Sequence, residues 1–256
     1  MAQYAEVNGV RTWYDVQGEG EPLVLMHGGL SNAGEFHGNL LDLTSRFTTY
    51  LPERRGHGHT PDVEGPLTIG VQVEDAIAFL DEVVGGGPVR LAGYSMGASV
   101  ALGVAMARPD LVERLVLISG CYDLAGLLFS PADGDGSFVP DIIKDMYGAV
   151  SPDGREHIHV VAAKLSEAAR TEKPWTTDDL AGVRARTLIV SGDDDLVTLE
   201  HTLSMYRAIP DAELSVIPRA SHVLFLDRPE LYTRTVEEFL TREPNPTIMP
   251  IARGGS

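Results

Sequence analysis

The amino-acid sequence predicts an α/β protein with a mostly parallel, eight-stranded sheet that helices cover on both faces. Two observations lead to this fold class. Short apolar runs, such as residues 22–26, recur along the chain and are typical of strands that are buried on both faces. Segments with helical spacing lie between these runs. Strands that alternate with helices favour a parallel sheet, because parallel neighbours need a long crossover connection.

The predicted strands begin with a hairpin. Residues 4–16 form two strand patterns around Asn8-Gly9, a dipeptide typical of a type I′ turn. Six further strands are predicted from short apolar segments, which are residues 22–26, 48–51, 88–93, 114–119, 186–191 and 212–217.

Three helices of the core have recognisable starts. Thr68 is a candidate N-cap for a helix whose apolar residues recur along one side from Ile69. The alanine-rich residues 96–107 follow a predicted strand directly and continue as a helix. Pro229 occupies a suitable first helical position for the last helix.

One region interrupts the alternation of strands and helices. Residues 121–180 contain no buried-strand run but two helical patterns, at 138–150 and 153–169. We interpret them as a small helical lid over the carboxyl ends of the strands, where open α/β sheets hold their sites. The core then consists of residues 1–120 and of residues 181–256, which end in an extended tail.

Composition restricts the possible partners. The 256 residues carry a net charge of −17, which repels nucleic acid and anionic membranes. No apolar run reaches the roughly 18 residues of a membrane span, and no secretory signal is recognisable. The single cysteine, Cys121, is consistent with a reducing cytoplasm. Nucleic acid and membranes are therefore not expected partners, and neither a cofactor nor a particular oligomeric state is predicted.

The segment that bears most directly on function surrounds Ser95. Ser95 lies between Gly93 and Gly97, directly after a predicted strand and before a predicted helix. This context is typical of a nucleophile elbow, a tight turn whose crowded flanking positions require glycine. The alternative is a serine that merely caps the helix beside two packing glycines.

A serine hydroxyl needs a base to become a nucleophile, and the base needs a carboxylate to orient it. His222 follows the last predicted strand, so it should reach the edge of the sheet where Ser95 lies. Asp193, Asp194 and Asp195 follow the preceding strand and are candidates for the carboxylate.

Acyl transfer also requires two N–H groups directed at the developing oxyanion. The N–H of Met96, the residue after the candidate nucleophile, supplies one. His27 and two glycines end another strand, and we select Gly29 for the second N–H, with Leu30 as the alternative. His27 is expected to hold this loop and not to transfer protons.

Together these motifs resemble the α/β-hydrolase superfamily, including its esterases, enol-lactonases and cofactor-free haloperoxidases, along nearly the whole chain. The resemblance implies the fold of that superfamily and a Ser-Asp-His triad. It also implies that residues 55–58 shape a loop beside the site, and a serine nucleophile disfavours the dehalogenases and epoxide hydrolases. One difference from the superfamily is Arg186, because many relatives have proline there, before the strand that leads to the triad acid. The matching segments are residues 27–29, 52–60, 93–98, 192–195 and 221–222.

The resemblance also selects among the aspartates. The superfamily places its acid three residues after the glycine that ends the strand, and Gly192 puts that position at Asp195. Burying several carboxylates together would raise their pKa values, so Asp193 and Asp194 are expected to face solvent or cap the turn. Asp123, after an earlier strand, is the alternative acid.

The remaining chemically reactive side chains have simpler interpretations. Cys121 has no elbow around it and is interpreted as a packing thiol. His157 and His159 lie two apart on a helix and face different directions, while His57 and His59 fall in or next to the superfamily's loop. No metal site is predicted.

The expected function is hydrolysis of a carboxylic ester or lactone of a small, largely apolar substrate through an acyl-enzyme. Alternatives with the same triad are carbon–carbon or thioester hydrolysis and perhydrolysis, and a third possibility is a non-catalytic small-molecule receptor. The substrate is expected to contact large side chains of the lid and the core, which are Phe36, Tyr94, Phe129, Phe138, Ile142, Met146, Tyr147 and Val223.

Overall fold

The computed structural model describes residues 2–137, 139–244 and 247–249. These residues contain an eight-stranded sheet with the strand order β1-β2-β4-β3-β5-β6-β7-β8. Strands β3 to β8 run parallel, whereas β2 is antiparallel to β1 and β4. The predicted fold class is therefore confirmed. The strands are β1 Gln3–Val7, β2 Val10–Gln17, β3 Glu21–Met26, β4 Phe47–Pro52, β5 Val89–Tyr94, β6 Val112–Ile118, β7 Arg186–Asp194 and β8 Ala212–Ser221.

Local sequence explains the hairpin and two of the helix starts. Asn8 and Gly9 both have positive φ, 47° and 74°, as the predicted type I′ turn requires. The Thr68 hydroxyl accepts the N–H of Val71 and caps α1, and Pro229 opens α8. No helix within the described ranges is long and apolar enough to cross a bilayer. The helices are α1 Ile69–Phe79, α2 Met96–Ala107, α3 Asp141–Gly148, α4 Ile158–Thr171, α5 Thr177–Leu180, α6 Leu199–Ala208, α7 Leu224–Asp227 and α8 Pro229–Thr241.

The core forms two apolar layers, one on each face of the sheet. Successive residues of a strand point to opposite faces, so Leu115 and Leu117 of β6 join one layer while Val116 and Ile118 join the other. Helices α1 and α2 cover the first layer, and α8 covers the second. This double coverage explains why the central strands are continuously apolar in sequence.

The described residues of the segment 121–180 contain three helices and no strand beyond an isolated bridge. Polar contacts attach the segment to the core, including those of Glu172 and Lys164. The Glu172 carboxylate accepts the N–H groups of Ile69 and Gly70 at 2.7 Å each, which satisfies the first turn of α1. Lys164 donates to both oxygens of Asp62 at 2.8 Å. The predicted tail falls mostly on residues outside the described ranges.

The turn from β5 to α2 depends on close backbone packing. A Cβ atom on Gly97 would overlap the carbonyl oxygens of Met26 and His27 at the end of β3. A Cβ atom on Gly93 would overlap the carbonyl of Gly97 itself. These overlaps involve backbone atoms, so the turn cannot relieve them by moving a flexible side chain.

We therefore expect Gly97→Ala to lower the free energy of unfolding by about 3 kcal/mol, the upper part of the range for overpacked sites. For a chain of this size the melting temperature should fall by roughly 5–10 °C. Gly87→Ala is the matched control, because a Cβ atom there would contact nothing within 4 Å. Equal melting temperatures for the two variants would contradict the packing argument.

Candidate active site

Ser95 occupies the turn between β5 and α2. Its backbone has φ 52° and ψ −120°, a strained conformation for a residue with a side chain. Its N–H donates to the carbonyl of Ile118 at 2.8 Å, which fixes the turn to β6. The Ser95 side chain makes no capping hydrogen bond to α2. The structure therefore does not support the alternative in which this serine only caps the helix.

Ser95, His222 and Asp195 form one chain of hydrogen bonds. His222 Nε2 lies 3.0 Å from Ser95 Oγ, and His222 Nδ1 lies 2.7 Å from Asp195 Oδ1. The three residues directly follow β5, β8 and β7, respectively. Because parallel strands end at the same edge of the sheet, residues 127 positions apart are brought into contact.

The buried Asp195 carboxylate is held by further donors. Oδ2 accepts the Ser119 hydroxyl at 2.6 Å and the Gly192 N–H at 3.2 Å, and Oδ1 accepts the Val197 N–H at 3.2 Å. Burial raises the pKa of Asp195, but the hydrogen bonds from His222 and Ser119 outweigh it and keep the pKa below its ordinary value. Asp195 is thus ionised at neutral pH. Sequence reasoning missed Ser119, although its position after β6 was a usable signal.

The other acids lie elsewhere. Asp193 and Asp194 are exposed, and Asp193 accepts the N–H of Ala220 at 3.2 Å. Asp123 accepts the N–H of Ala125 at 2.9 Å, two residues further along the chain. Of the four candidate acids, Asp195 is the one that the structure hydrogen-bonds to His222.

Two backbone segments meet at Ser95, and both were predicted to supply N–H groups. Met96 is the first residue of α2, so its N–H has no acceptor within the helix. Gly29 lies against Met96, since a Cβ atom built on Gly29 would be 3.0 Å from Met96 Cε. Leu30, the alternative donor, follows with φ 53° and, like Met96, packs against the apolar cluster that contains Leu67 and Val161.

A carboxyl group that sequence reasoning missed lies behind this loop. Glu35 accepts the N–H of Gly28 and the hydroxyl of Ser31, both at 2.6 Å. Burial raises the pKa of Glu35 to about 7, against the opposing effects of Ser31, Gly28 and the Arg54 charge. The sequence around Glu35 contains no motif that predicts its contact with the loop that follows His27.

A cavity of about 460 Å³ opens at Ser95 and His222. The segment 121–180 supplies much of its wall, and most of its lining side chains are apolar. The other lining residues are Leu67, Ile69, Met96, Ser99, Ser119, Cys121, Tyr122, Asp123, Leu124, Leu127, Pro131, Leu165, Ala168, Ala169, Arg170, Glu172, Lys173, Pro174, Trp175 and Leu196.

Of the side chains predicted to contact substrate, none that the structure describes lines this cavity. Phe36, Tyr94 and Tyr147 are buried in the apolar clusters, where they fill the core. Helix α3 turns Ile142 and Met146 outward, with 68% and 50% of their surfaces exposed. Phe129 and Val223 are exposed by 69% and 38%. Phe138 lies outside the described residues.

The sequence could not reveal which side of each helix in the segment 121–180 faces the cavity. The spacing of apolar residues identifies one face of a helix, but packing against the rest of the chain determines whether that face is buried or exposed. In α4, Leu165 and Ala168 reach the cavity wall, whereas α3 contributes none of its residues. Trp175, a large aromatic residue after α4, lines the cavity and was missed.

The thiol and the histidine pairs have structural partners. Burial raises the pKa of Cys121 to about 11, which leaves the thiol protonated. His57 binds the Arg55 carbonyl, His59 binds Glu53, and His157 binds Asp62. Within the part of the chain that the structure describes, no three potential metal ligands gather.

A serine elbow on a mostly parallel sheet, with histidine and aspartate after later strands, is the arrangement of a hydrolase. The model of the "Alpha/beta hydrolase family" matches residues 23–235, and the chain belongs to this family.

Known proteins similar to this chain are named for different substrates. The chain is 26% identical over 252 residues to "(E)-2-((N-methylformamido)methylene)succinate hydrolase" of Acinetobacter baylyi, covering 90% of this chain and 94% of that protein. It is 25% identical over 254 residues to "2-hydroxy-6-oxo-6-phenylhexa-2,4-dienoate hydrolase" of Burkholderia cepacia, covering 87% and 88%. Among solved structures, the enol-lactonase of Burkholderia xenovorans LB400 superimposes with a TM-score of 0.75 at 22% identity, covering 94% and 100%.

The raised pKa of Glu35 makes a prediction about stability. Between about pH 4.5 and pH 7 the unfolded chain gives up this proton before the folded chain does, so the folded state loses stability as pH rises. Replacing Glu35 by Gln removes this titration. The stability of Glu35→Gln relative to wild type should therefore increase by about 2 kcal/mol from pH 4.5 to pH 8.

Urea denaturation of both proteins at the two pH values measures this change. Because the comparison is a difference between pH values, any constant effect of the substitution cancels. Glu64→Gln, at an exposed glutamate, is the control. A relative stability of Glu35→Gln that is constant with pH would contradict the raised pKa.

Proposed function

We propose that the protein is a serine hydrolase that cleaves a carboxylic ester or lactone of a small, largely apolar substrate through an acyl-enzyme. The observation that carries the proposal is the hydrogen-bonded chain Ser95, His222 and Asp195 at the opening of a mostly apolar cavity. Ser95 is the nucleophile, His222 the base and Asp195 the orienting acid. The single cysteine and the acidic composition favour the cytoplasm as the place of action.

In the first half of the reaction, Ser95 Oγ attacks the carbonyl carbon and its proton passes to His222 Nε2. The ionised Asp195 accepts the Nδ1–H, which leaves Nε2 free to take this proton, and stabilises the imidazolium that forms. The tetrahedral intermediate then collapses. The bond to the leaving oxygen breaks, and His222 gives the proton to that oxygen.

In the second half, His222 takes a proton from water, whose oxygen attacks the acyl carbon. The bond to Ser95 Oγ breaks, and the proton returns to Ser95. In both tetrahedral states the N–H groups of Gly29 and Met96 bind the oxyanion, and the N-terminal end of α2 adds a favourable dipole.

Carbon–carbon hydrolysis is the second candidate. The observation that favours it is the Burkholderia cepacia relative, which is named for a 2-hydroxy-6-oxo-dienoate substrate. The relative from Acinetobacter baylyi is a hydrolase of a formamido-substituted succinate. A panel of p-nitrophenyl esters, lactones, thioesters and vinylogous 1,5-diketones distinguishes these substrate classes. Preference for the diketones would transfer the assignment to carbon–carbon hydrolysis, and absence of all turnover would favour a receptor.

Ser95→Ala should fold with an unchanged melting temperature and lose at least about 10³-fold in kcat on a p-nitrophenyl ester. A fluorophosphonate probe should label the wild-type protein at Ser95 and leave the variant unlabelled, as peptide mass spectrometry can determine. Ser99→Ala, another serine of the cavity wall, serves as the control and should retain labelling. Labelling that persists in Ser95→Ala would reject the nucleophile.

Asp195→Asn should reduce kcat by roughly 10⁴-fold, because an amide cannot hold the required tautomer of His222. Asp194→Asn, an exposed neighbour, should change kcat less than twofold. Asp123→Asn tests the alternative acid directly. A disabled Asp123→Asn enzyme beside a nearly normal Asp195→Asn enzyme would transfer the acid role to Asp123.

A further inference from the structure

The peptide that joins Gly28 to Gly29 is held by unusually many charged and polar side chains. Its carbonyl oxygen, Gly28 O, lies 2.7 Å from Arg54 Nη2 and 2.8 Å from His27 Nδ1. Arg54 Nη2 also donates to the carbonyl of His27 at 2.7 Å. One guanidinium nitrogen therefore binds two successive carbonyls of the loop that carries Gly29.

The hydrogen-bond network assigns the tautomer of His27. The backbone N–H of Arg54 donates to His27 Nε2 at 3.1 Å, so Nε2 is the unprotonated nitrogen. Burial and the charge of Arg54 lower the pKa of His27 well below its ordinary value, which keeps the ring neutral. Nδ1 then carries the proton and donates it to Gly28 O. Both acceptor positions of that carbonyl are thus occupied.

The peptide on the other side of Gly28 is held by a carboxyl group. The Gly28 N–H donates to Glu35 Oε1 at 2.6 Å, and the Ser31 hydroxyl holds Oε2 at the same distance. The charges of Glu35 and Arg54 also attract each other across the loop. Gly28 is therefore fixed through its N–H by Glu35 and through its C=O by Arg54 and His27.

Fixing this carbonyl also fixes the next N–H. In a trans peptide the C=O and N–H bonds point in opposite directions within one plane. The Gly28 carbonyl points at the buried guanidinium, so the Gly29 N–H points away from it. A cationic donor on the carbonyl also polarises the peptide and strengthens the hydrogen bond that its N–H can give.

We propose that Arg54 and Glu35 are positioning residues that orient and polarise the Gly28–Gly29 peptide so that the Gly29 N–H binds the oxyanion. The proposal rests on the proposed function, because it assigns the Gly29 N–H to the oxyanion hole. Neither side chain touches the substrate, and both act through the loop.

The bonding of Arg54 favours this role over a purely structural one. Arg54 is buried, and its Nε and Nη1 have no hydrogen-bond partner among the described residues. Burial lowers its pKa to about 10, so the charge is retained at neutral pH. A buried charge with two unpartnered nitrogens is costly. The carbonyls of His27 and Gly28 are the groups to which this side chain donates.

The test uses four variants of the full-length protein. Arg54→Met removes the donor, and Arg54→Lys keeps the charge without the planar guanidinium. The double variant Glu35→Gln/Arg54→Met removes both charges, so it avoids the isolated, half-buried carboxylate that would destabilise Arg54→Met. Arg55→Met is the matched control, because Arg55 is a buried neighbour that binds Asp75 instead of the loop.

Two readouts separate positioning from structure. The first is the second-order rate of Ser95 modification by a fluorophosphonate, whose transition state places an oxygen in the same hole. The second is the ratio of affinities for 1,1,1-trifluorooctan-2-one, which forms an oxyanion adduct with a serine, and for the corresponding alcohol, which cannot. Melting temperatures establish that each variant is folded at the assay temperature.

We expect Arg54→Met and the double variant to react with the fluorophosphonate 10- to 100-fold more slowly, which is less than the loss of a whole oxyanion donor. Ketone affinity should fall in proportion while alcohol affinity stays within twofold of wild type. Arg54→Lys should be intermediate, and Arg55→Met should retain the wild-type rate per folded molecule.

The outcomes separate the two hypotheses. If the wild-type protein is labelled at Ser95 and the folded Arg54 variants react within threefold of it, the positioning role is overturned and the proposed function stands. Equal losses of ketone and alcohol affinity would also overturn it, because they indicate a deformed cavity. If the wild-type protein is not labelled at all, the nucleophile fails and the positioning role fails with it.

Discussion

The candidate active site depends on the close contact of three backbone segments around Ser95. Gly97 lies against the carbonyls at the end of β3, and Gly93 lies against Gly97, so neither position has room for a Cβ atom. This contact brings the first turn of α2 onto the carboxyl edge of the sheet and imposes the strained φ of 52° on Ser95. In return, the hydroxyl projects from the sheet toward His222, where it meets the imidazole at 3.0 Å.

Buried or half-buried polar side chains support the groups assigned to chemistry. Ser119 holds Asp195, and Glu35 and Arg54 hold the loop that carries Gly29. Polar groups with little exposure are costly unless they are hydrogen-bonded, and here they bond to Asp195 and to the peptides on either side of Gly28. These hydrogen bonds hold the acid and the oxyanion loop in place.

The relationship between sequence and site differs from residue to residue. Ser95, His222 and Asp195 could be connected because each follows a recognisable strand, and parallel strands end at one edge. Ser119 also follows a strand, which was a usable signal, but no motif around it indicated that it would bind Asp195, 76 residues away. Glu35 and Arg54 are ordinary charged residues in sequence, and their contacts with one loop arise only when β3 and β4 are adjacent.

The sequence by itself determined the features that local chemistry controls. These are the hairpin at Asn8-Gly9, the cap at Thr68 and the glycine-flanked elbow, because each depends on backbone freedom or on a bond to a near neighbour. Tertiary structure alone decided the walls of the cavity. Met146 is large and apolar but exposed, whereas Trp175 lines the cavity, because the face of a helix or loop that meets substrate space is set by its packing on a distant part of the chain.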